Sequence, residues 1–465
     1  MKPKTTQDNH FSFTMPARFG GLMNLSRLQS IGLIAGFLIT VLSLFASSWP
    51  INIVVATLSA STTLVLCYVN YGDNPLIYYL LDLFQYFYCN LITLKQQSYL
   101  LPQVHLKNQL SFSQIQIQAI GNQNIGIIKD IGSNKFATVF KIASDSILLC
   151  SKDEKLYVSE SFSKFLSALS HDLDIKLIKL VQSACTINLE TLEDDFSFSH
   201  NNLSNNNKVR CGELIKIVCE KSKSHSCHLI IVASLPKKTA SSQDCDSYIL
   251  EKIHQIYNLV KTVGTPQSLH GILSVNQLNI FIRRSWDPTS TQVSQYCWPT
   301  AIKQSWDHLK LGDIYSTFFW ISHWPTTTVS GEFLAPLMLN APIGIKLWTY
   351  FEPVESLRAL KQSERHKTEL LSSIALKEQI GIQAKALEKK HLEHINNRQN
   401  ELLQGHAELK IHGIIEISAN SLESLEASVN IIKRLSSQCY LDLRRLNGRH
   451  LQAYKTLYGS LRGIL

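Results

Sequence analysis

Charge is missing from two consecutive stretches near the start of this 465-residue chain. Ile31–Trp49 (IGLIAGFLITVLSLFASSW) and Ile51–Val69 (INIVVATLSASTTLVLCYV) contain no Asp, Glu, Lys or Arg. No Lys or Arg occurs anywhere between Arg27 and Lys95. A water-soluble core does not tolerate so long an uncharged run, and a cleavable export signal has one such stretch rather than two. A phosphate-binding loop is missing as well. The nearest glycines, Gly121–Gly126, run into Ile127, and Gly132-Ser133-Asn134-Lys135 lacks the leading glycine that a phosphate nest needs, which excludes a P-loop ATPase.

Paired cysteine spacing is absent too. The ten cysteines share no repeat: Cys67 lies in an uncharged run, Cys89 just beyond it, and Cys150, Cys219 and Cys439 in apolar segments, as expected in a reducing compartment. Cys219, His225, Cys227 and His228 match no zinc spacing, and side chains next to each other on a strand point to opposite faces. Ser170-His171-Asp172 holds the residue types of a hydrolytic triad, but three successive residues cannot adopt that geometry and mark a helix end. Glu193, Asp194 and Asp195 sit in a floppy acidic loop. The expectation is a chain with no catalytic residue, no cofactor and no metal.

Each uncharged run has about the 20 residues that cross a ~30 Å hydrocarbon core, and Trp49-Pro50 between them forces a tight antiparallel return. Lys2, Lys4, Arg18 and Arg27 precede the pair, which puts both ends on the cytoplasmic side of the plasma membrane. Leu76–Leu94 is aromatic, with Tyr78, Tyr79, Phe84, Tyr86, Phe87 and Tyr88, and reads as an interfacial helix, a third span being the alternative.

The remainder alternates strands and amphipathic helices, giving an α+β class. Strands are expected at Gly126–Lys129, Lys135–Ile142, Ile175–Val181, Ile215–Cys219, His228–Ala233, Phe318–Ser322, Ile345–Phe351, Ile411–Ser418 and Cys439–Leu443. Helices are expected over Ser159–Leu173, around Ile249–Val260, after the cap Ser274, and from Asn420 with Glu423 in the capping-box place and Leu422, Leu425, Val429 and Ile432 buried. Leu357–Glu408, rich in Lys, Glu, Leu and Gln, reads as one or two solvated helices broken at Gly381, and Thr191–Arg210 as a loop. The division is a tail 1–30, a transmembrane hairpin 31–69, an interfacial helix 70–98, an α/β region 99–353, a helical segment 354–408 and a C-terminal α/β unit 409–465.

Hydrophobic residues make up 45% and charged residues 17%, and the formal net charge of +9 reads as a solubilising excess spread over a large surface, with an anionic membrane surface or nucleic acid as the alternatives. At the basic C-terminus Arg444, Arg445, Arg449, Lys455 and Arg462 interleave with Tyr454 and Tyr458, so a solvated face competes with a nucleic-acid surface. Trp286-Asp287-Pro288, Trp298-Pro299, Trp306-Asp307 and Trp324-Pro325 read as aromatic lids or a partner surface.

Several blocks carry a resemblance: GIIKDIGSNKFATVFKI at Gly126–Ile142, RRSWDP at Arg283–Pro288, FFWISHWP at Phe318–Pro325 with FLAPL to Leu337, FEPV at Phe351–Val354, ELLQGHAELKIHGIIEISA at Glu401–Ala419 and LRRLNGRHLQAYKTLYGSLRG at Leu443–Gly463. In this order they resemble an actinobacterial membrane-protein family associated with type IV secretion-like systems, in which a PrgI-like hairpin is joined to a region similar to the non-catalytic N-terminal domain of the conjugation ATPase. The resemblance implies an inner-membrane secretion or conjugation component, oligomeric within a complex and working beside a separate transfer-type ATPase and other channel subunits. Trp286, Asp287, Trp324, Pro325, Gly405, His406, Arg444 and Arg445 are then candidates for the partner surface. A membrane-tethered nucleic-acid binder in DNA transfer and a type VII secretion membrane subunit are the alternatives.

Overall fold

The computed structural model describes residues 27–46, 51–71, part of 74–87, 115–120, 124–130, 134–142, 151–172, 174–186, 223–235, 242–263, 269–288, 298–299, 301–325, 329, 332–379, 386–459 and 461. Trp49-Pro50, the turn at Gly132-Ser133, the expected loop 191–210 and strand 215–219, Gly381, and Cys89, Cys150 and Cys219 lie outside the described residues.

The uncharged runs form α1 (Arg27–Ala46) and α2 (Ile51–Tyr68), followed by a short ribbon of β1 (Asn70–Tyr71) and β2 (Asn74–Pro75). Residues 76–87 are helical wherever described. The rest is mixed α/β around one large antiparallel sheet. A first unit comprises β3 (Ile115–Ile120), β4 (Ile125–Asp130), β5 (Lys135–Ile142), α3 (Lys152–His171), β6 (Ile175–Thr186), β7 (Lys223–Ser234), α4 (Ser242–Val263), β8 (Leu269–Ile272) and α5 (Val275–Trp286). The second comprises β9 (Ile302–Gln304), β10 (Leu309–Leu311), β11 (Ile314–His323), α6 (Ala335–Leu339), β12 (Ile345–Val354), β13 (Glu408–Ala419), α9 (Leu422–Gln438), β14 (Asp442–Arg445) and α10 (His450–Tyr454), the last continued by a π-turn at Lys455–Gly459. Between β12 and β13 run α7 (Ser356–Gln379) and α8 (Ala386–Leu403), which pack on each other through a Lys377–Glu388 ion pair and a Lys367–Gln399 hydrogen bond of 3.4 Å.

The two units repeat one another. Among the described residues the sheet has 12 strands in the order β3-β4-β5-β7-β6-β12-β13-β11-β10-β9, with β8 added to β5 and β14 to β11. That order is palindromic about the β6–β12 pair. Register carries the repeat to single residues: Phe140 lies opposite Leu229 and Ile272, as Phe319 lies opposite Ile415 and Arg445. Leu273 N–H donates to Val139 O at 3.0 Å and Leu446 N–H to Phe318 O at 2.9 Å. The strands share the pattern Phe136-Ala-Thr138-Val-Phe140-Lys-Ile142 and Tyr315-Ser-Thr317-Phe-Phe319-Trp-Ile321.

Because strand side chains alternate, each strand feeds two cores. Val139, Val181, Phe318, Trp348 and Tyr350 meet Leu278 and Ile282 of α5 and Tyr454 of α10 on one face. On the other, Phe140, Ile178 and Phe351 meet α3 and α4, while Phe319, Leu347 and Ile415 meet α6 and α9. At the seam, Val181 pairs with Trp348, flanked by Lys179–Tyr350 and Ser183–Lys346. Lys179 and Lys346 thus hold equivalent places, and both are buried. Lys346 faces Glu416 across the strand pair, with Nζ 3.4 Å from Oε1. The other carboxylate oxygen accepts from Trp348 Nε1 at 3.2 Å and from the Tyr458 hydroxyl. In the first unit the place of Glu416 belongs to Ile230, directly opposite Lys179.

Local expectations need four corrections. The helix expected at Ser159 begins at Lys152, because Ser151 and Glu154 form a reciprocal capping box. Ser421, not Asn420, caps α9: its extended backbone lets Oγ accept from Ser424 N–H at 3.2 Å. Leu422 then falls on the outer side and is exposed, while Leu425, Val429 and Ile432 are buried. The strand expected at Cys439–Leu443 begins at Asp442, since Cys439–Leu441 close the helix by donating to carbonyls of Leu435–Ser437 with Tyr440 at φ 55°. By contrast, Ser274 caps α5 as expected, with Gln277 completing the box.

Removing one member of a buried ion pair strands the other charge and costs about 3–5 kcal/mol. Glu416→Ile, which installs the residue of the first unit, is expected to lower unfolding stability by that amount. The double variant Lys346→Met/Glu416→Ile should recover part of the loss; denaturant titration of the three proteins under identical conditions measures both.

Candidate functional site

The helix pair α1–α2 is packed with its polar side inward. Facing each other are Gly32, Gly36 and Thr40 of α1 and Ser59, Thr63 and Cys67 of α2. A Cβ added at Gly36 would collide with the Thr63 side chain, and one at Gly32 would lie 3.3 Å from Cys67 Sγ. Thr40 and Ser59 hydroxyls are 3.1 Å apart across the seam. The remaining hydroxyls satisfy themselves within their helices: Thr57 donates to Ile53 O, Thr62 to Leu58 O and Thr63 to Ser59 O, each within 2.9 Å. The large apolar side chains point away. Ile31, Ile34, Phe37, Leu38, Ile39 and Leu42 of α1 and Val54, Leu58, Leu64 and Val65 of α2 are exposed, Phe37 at 72%. Small-residue contact between helices with bulky residues outside inverts the pattern of a pair folded in water. Among the described residues no helix is long and apolar enough to cross a membrane; for these two the fully described stretches are 31–43 and 52–68.

From this pair the chain returns to the sheet through residues 76–87, helical wherever described. Leu76 N–H donates to Val69 O at 3.0 Å, and the Gly32 end of α1 abuts Ile77. Tyr86 then sets its ring edge-on against Trp306, centroids 5.4 Å apart at 82°. Trp306 sits in the β9–β10 loop, where its carbonyl accepts from Gly448 N–H at 2.7 Å. Gly448 has φ +70°, and a side chain there would press on both Trp306 and Tyr86.

The candidate partner residues fall in different places. Trp286 is buried in the α5 face of the core, with Arg283 over its ring at 5.3 Å, and Asp287 caps the end of α5. Trp324 packs on the opposite face beside Gly413, and Pro325 is buried. Gly405, at φ +87°, ends α8, and its carbonyl lies 3.0 Å from His171 Nε2. His406 beside it is exposed. Arg444 and Arg445 pair with Trp320 and Phe319. Arg445 is an internal tie: Nε donates to Asp307 O at 3.0 Å and Thr317 Oγ1 at 3.1 Å, and Nη2 to Glu426 at 2.7 Å.

The basic-aromatic C-terminus needs a plain correction. Tyr454 is fully buried and Tyr458 nearly so, each stacked on the other at 4.9 Å, because α10 closes the seam from above. Two lysines hold that closure. Lys179 Nζ donates to Thr456 O at 3.2 Å, and Lys135 Nζ to Leu461 O at 3.3 Å. These carbonyls follow a helix C-terminus, where a cation is favoured. Burial, with Lys135 close by, brings Lys179 down to about 7. Burial also depresses His450 to about 3 and His228 to about 4, and lifts Cys227 to about 12, so His450, His228 and Cys227 are uncharged near neutrality. Among the described residues no group of three His, Cys, Asp or Glu side chains could hold a metal ion.

Two outcomes follow. Lys179 ordinarily titrates near 10.4, so between that value and about 7 the unfolded chain holds a proton that the folded one lacks. Stability is therefore expected to rise with pH across this window and to be lowest below it. Lys179→Met should flatten that slope in unfolding midpoints measured from pH 6 to about 10. In the helix pair, overpacking by Gly36→Leu should cost about 1–3 kcal/mol and splay the helices. Disulfide formation in a Thr40→Cys/Ser59→Cys protein is expected in the parent and should fall about tenfold with Gly36→Leu added.

Neither protein-family models nor curated proteins match this chain, so its residues and their geometry carry any functional reading.

Proposed function

We propose that this chain is a membrane-anchored, non-catalytic component of a type IV secretion- or conjugation-like apparatus, in which α1–α2 spans the plasma membrane and the sheet forms a cytoplasmic platform for a separate ATPase. The observation that carries the anchor is the inverted packing of α1 and α2, small and hydroxylated inside, bulky and apolar outside. In water such a pair would expose a continuous hydrocarbon surface, whereas in lipid that surface is solvated and close backbone contact supplies the attraction. Both helix sequences are free of charge from Ile31 to Tyr68, and a helix of about 20 residues spans about 30 Å.

The assembly role rests on the sequence blocks that resemble the non-catalytic part of a conjugation ATPase. Those blocks are structural in this chain: Gly126–Ile142 holds the β4–β5 hairpin, Phe318–Pro325 the second half of β11, between β13 and β10, and Leu443–Gly463 the α10 closure. The nucleic-acid reading loses its aromatic platform, because Tyr454 and Tyr458 lie in the core and Arg445 is engaged by Asp307, Thr317 and Glu426.

After alkaline carbonate washing the protein is expected to float with lipid, and deletion of residues 27–69 should release it. Mild detergent extraction should bring a transfer-type ATPase with it. Release of the intact protein by carbonate would overturn the anchor, and recovery of neither ATPase nor channel subunit would overturn the assembly role.

A further inference from the structure

The residues linking α2 to the sheet orient the sheet. Ile77 packs at the Gly32 end of the helix pair and Tyr86, nine residues further along the chain, on Trp306. The β9–β10 loop is therefore tethered to that end by a linker that spans at most about 32 Å. The joint is tied down: Ser305 N–H donates to His308 O at 2.9 Å, Gly448 N–H to Trp306 O at 2.7 Å, and Gln304 Nε2 to Gly448 O. On the same helical residues Leu83, Phe84 and Phe87 point outward, Phe84 at 69% exposure.

One pair beyond the loop, Lys303 and Lys310 lie directly opposite each other. Like charges in that position repel and destabilise a strand pair. Lys303 is exposed on β9, the edge of the sheet, and Lys310 holds Nζ 5.1 Å over the Tyr315 ring. The nearby carboxylates are directed elsewhere: Asp307 bonds His308 Nδ1 at 2.8 Å, and Asp313 sits in the turn at the far end of β10. Arg445 is held by Asp307 O, Thr317 and Glu426.

We propose that the β9–β10 hairpin, through Lys303 and Lys310, is a contact surface for anionic phospholipid headgroups, holding the sheet edge-on to the membrane with Tyr86–Trp306 as the joint. This rests on the reading of α1–α2 as a membrane anchor. Anionic headgroups relieve the lysine repulsion, and Leu83, Phe84 and Phe87 enter the boundary beneath them as on an interfacial helix.

The full chain is reconstituted in nanodiscs of phosphatidylcholine alone or of an equal mixture with phosphatidylglycerol, and amide exchange is followed over residues 302–311. Edge-strand amides exchange quickly unless covered. Phosphatidylglycerol is expected to slow that exchange about tenfold or more, and high salt to restore it. Lys303→Gln, at an exposed site, should weaken the effect, and Lys303→Gln/Lys310→Gln should abolish it. Insertion with identical exchange in both lipids overturns the proposal while leaving the anchor intact, as does protection that the double variant retains. A chain that fails to enter the discs removes the anchor and this surface together.

Discussion

The antiparallel pairing of β6 with β12 joins two units that would otherwise each end in an open sheet edge. Val181 and Trp348 meet at its centre, and polar residues flank them, Lys179 with Tyr350 and Ser183 with Lys346. Desolvating two lysines at such a seam is costly, so the surrounding structure is arranged to satisfy them. Glu416 neutralises Lys346 and recruits Trp348 and Tyr458; carbonyls at the end of α10 receive Lys179. Closure by the C-terminal segment is thereby built into the seam. The two units differ where these charges sit, Ile230 standing where the second unit has Glu416, and Ile272 where it has Arg445.

The same chain contains the opposite solution. In the sheet, the buried charges Lys346 and Glu416 are paired and apolar groups fill most of the interior. In α1–α2 the interior is glycine, threonine, serine and cysteine, and the apolar groups face out. The hydrophobic effect drives the first arrangement, whereas in the second close contact between small residues supplies the attraction. Tyr86 against Trp306 is where the two regimes touch, and Gly448 is required there because a side chain would fill the space both rings use.

Local patterns made much of the fold legible. The uncharged runs forecast α1 and α2, the strands expected at Lys135–Ile142, His228–Ala233 and Ile411–Ser418 fall within β5, β7 and β13, and Ser274 before an apolar stripe forecast the start of α5. Errors arose where a cap lay outside the apolar stripe, as at Ser151, or where adjacent residues offered rival caps, as Asn420 and Ser421 did. The candidate partner residues were chosen as tryptophans, prolines and arginines in sequence blocks. Burial of Trp286 and Pro325 and the fourfold engagement of Arg445, including its place over Phe319, could not be read that way, since each depends on strands distant in the chain. The signal that would have located the joint was the lone glycine Gly448 beside a basic-aromatic run.

The sequence by itself determined the elements and the uncharged helix pair, because capping, periodicity and the exclusion of charge act over a few residues. It also determined that no P-loop is present. Only the tertiary structure decided that one sheet contains the same unit twice, that Lys179 and Lys346 are counterparts, and that Tyr454 and Tyr458 are core rather than surface. These are matters of register between strands far apart in the chain, such as β5 with β7 and β11 with β13, where spatial pairing defines equivalence while the side chains have drifted.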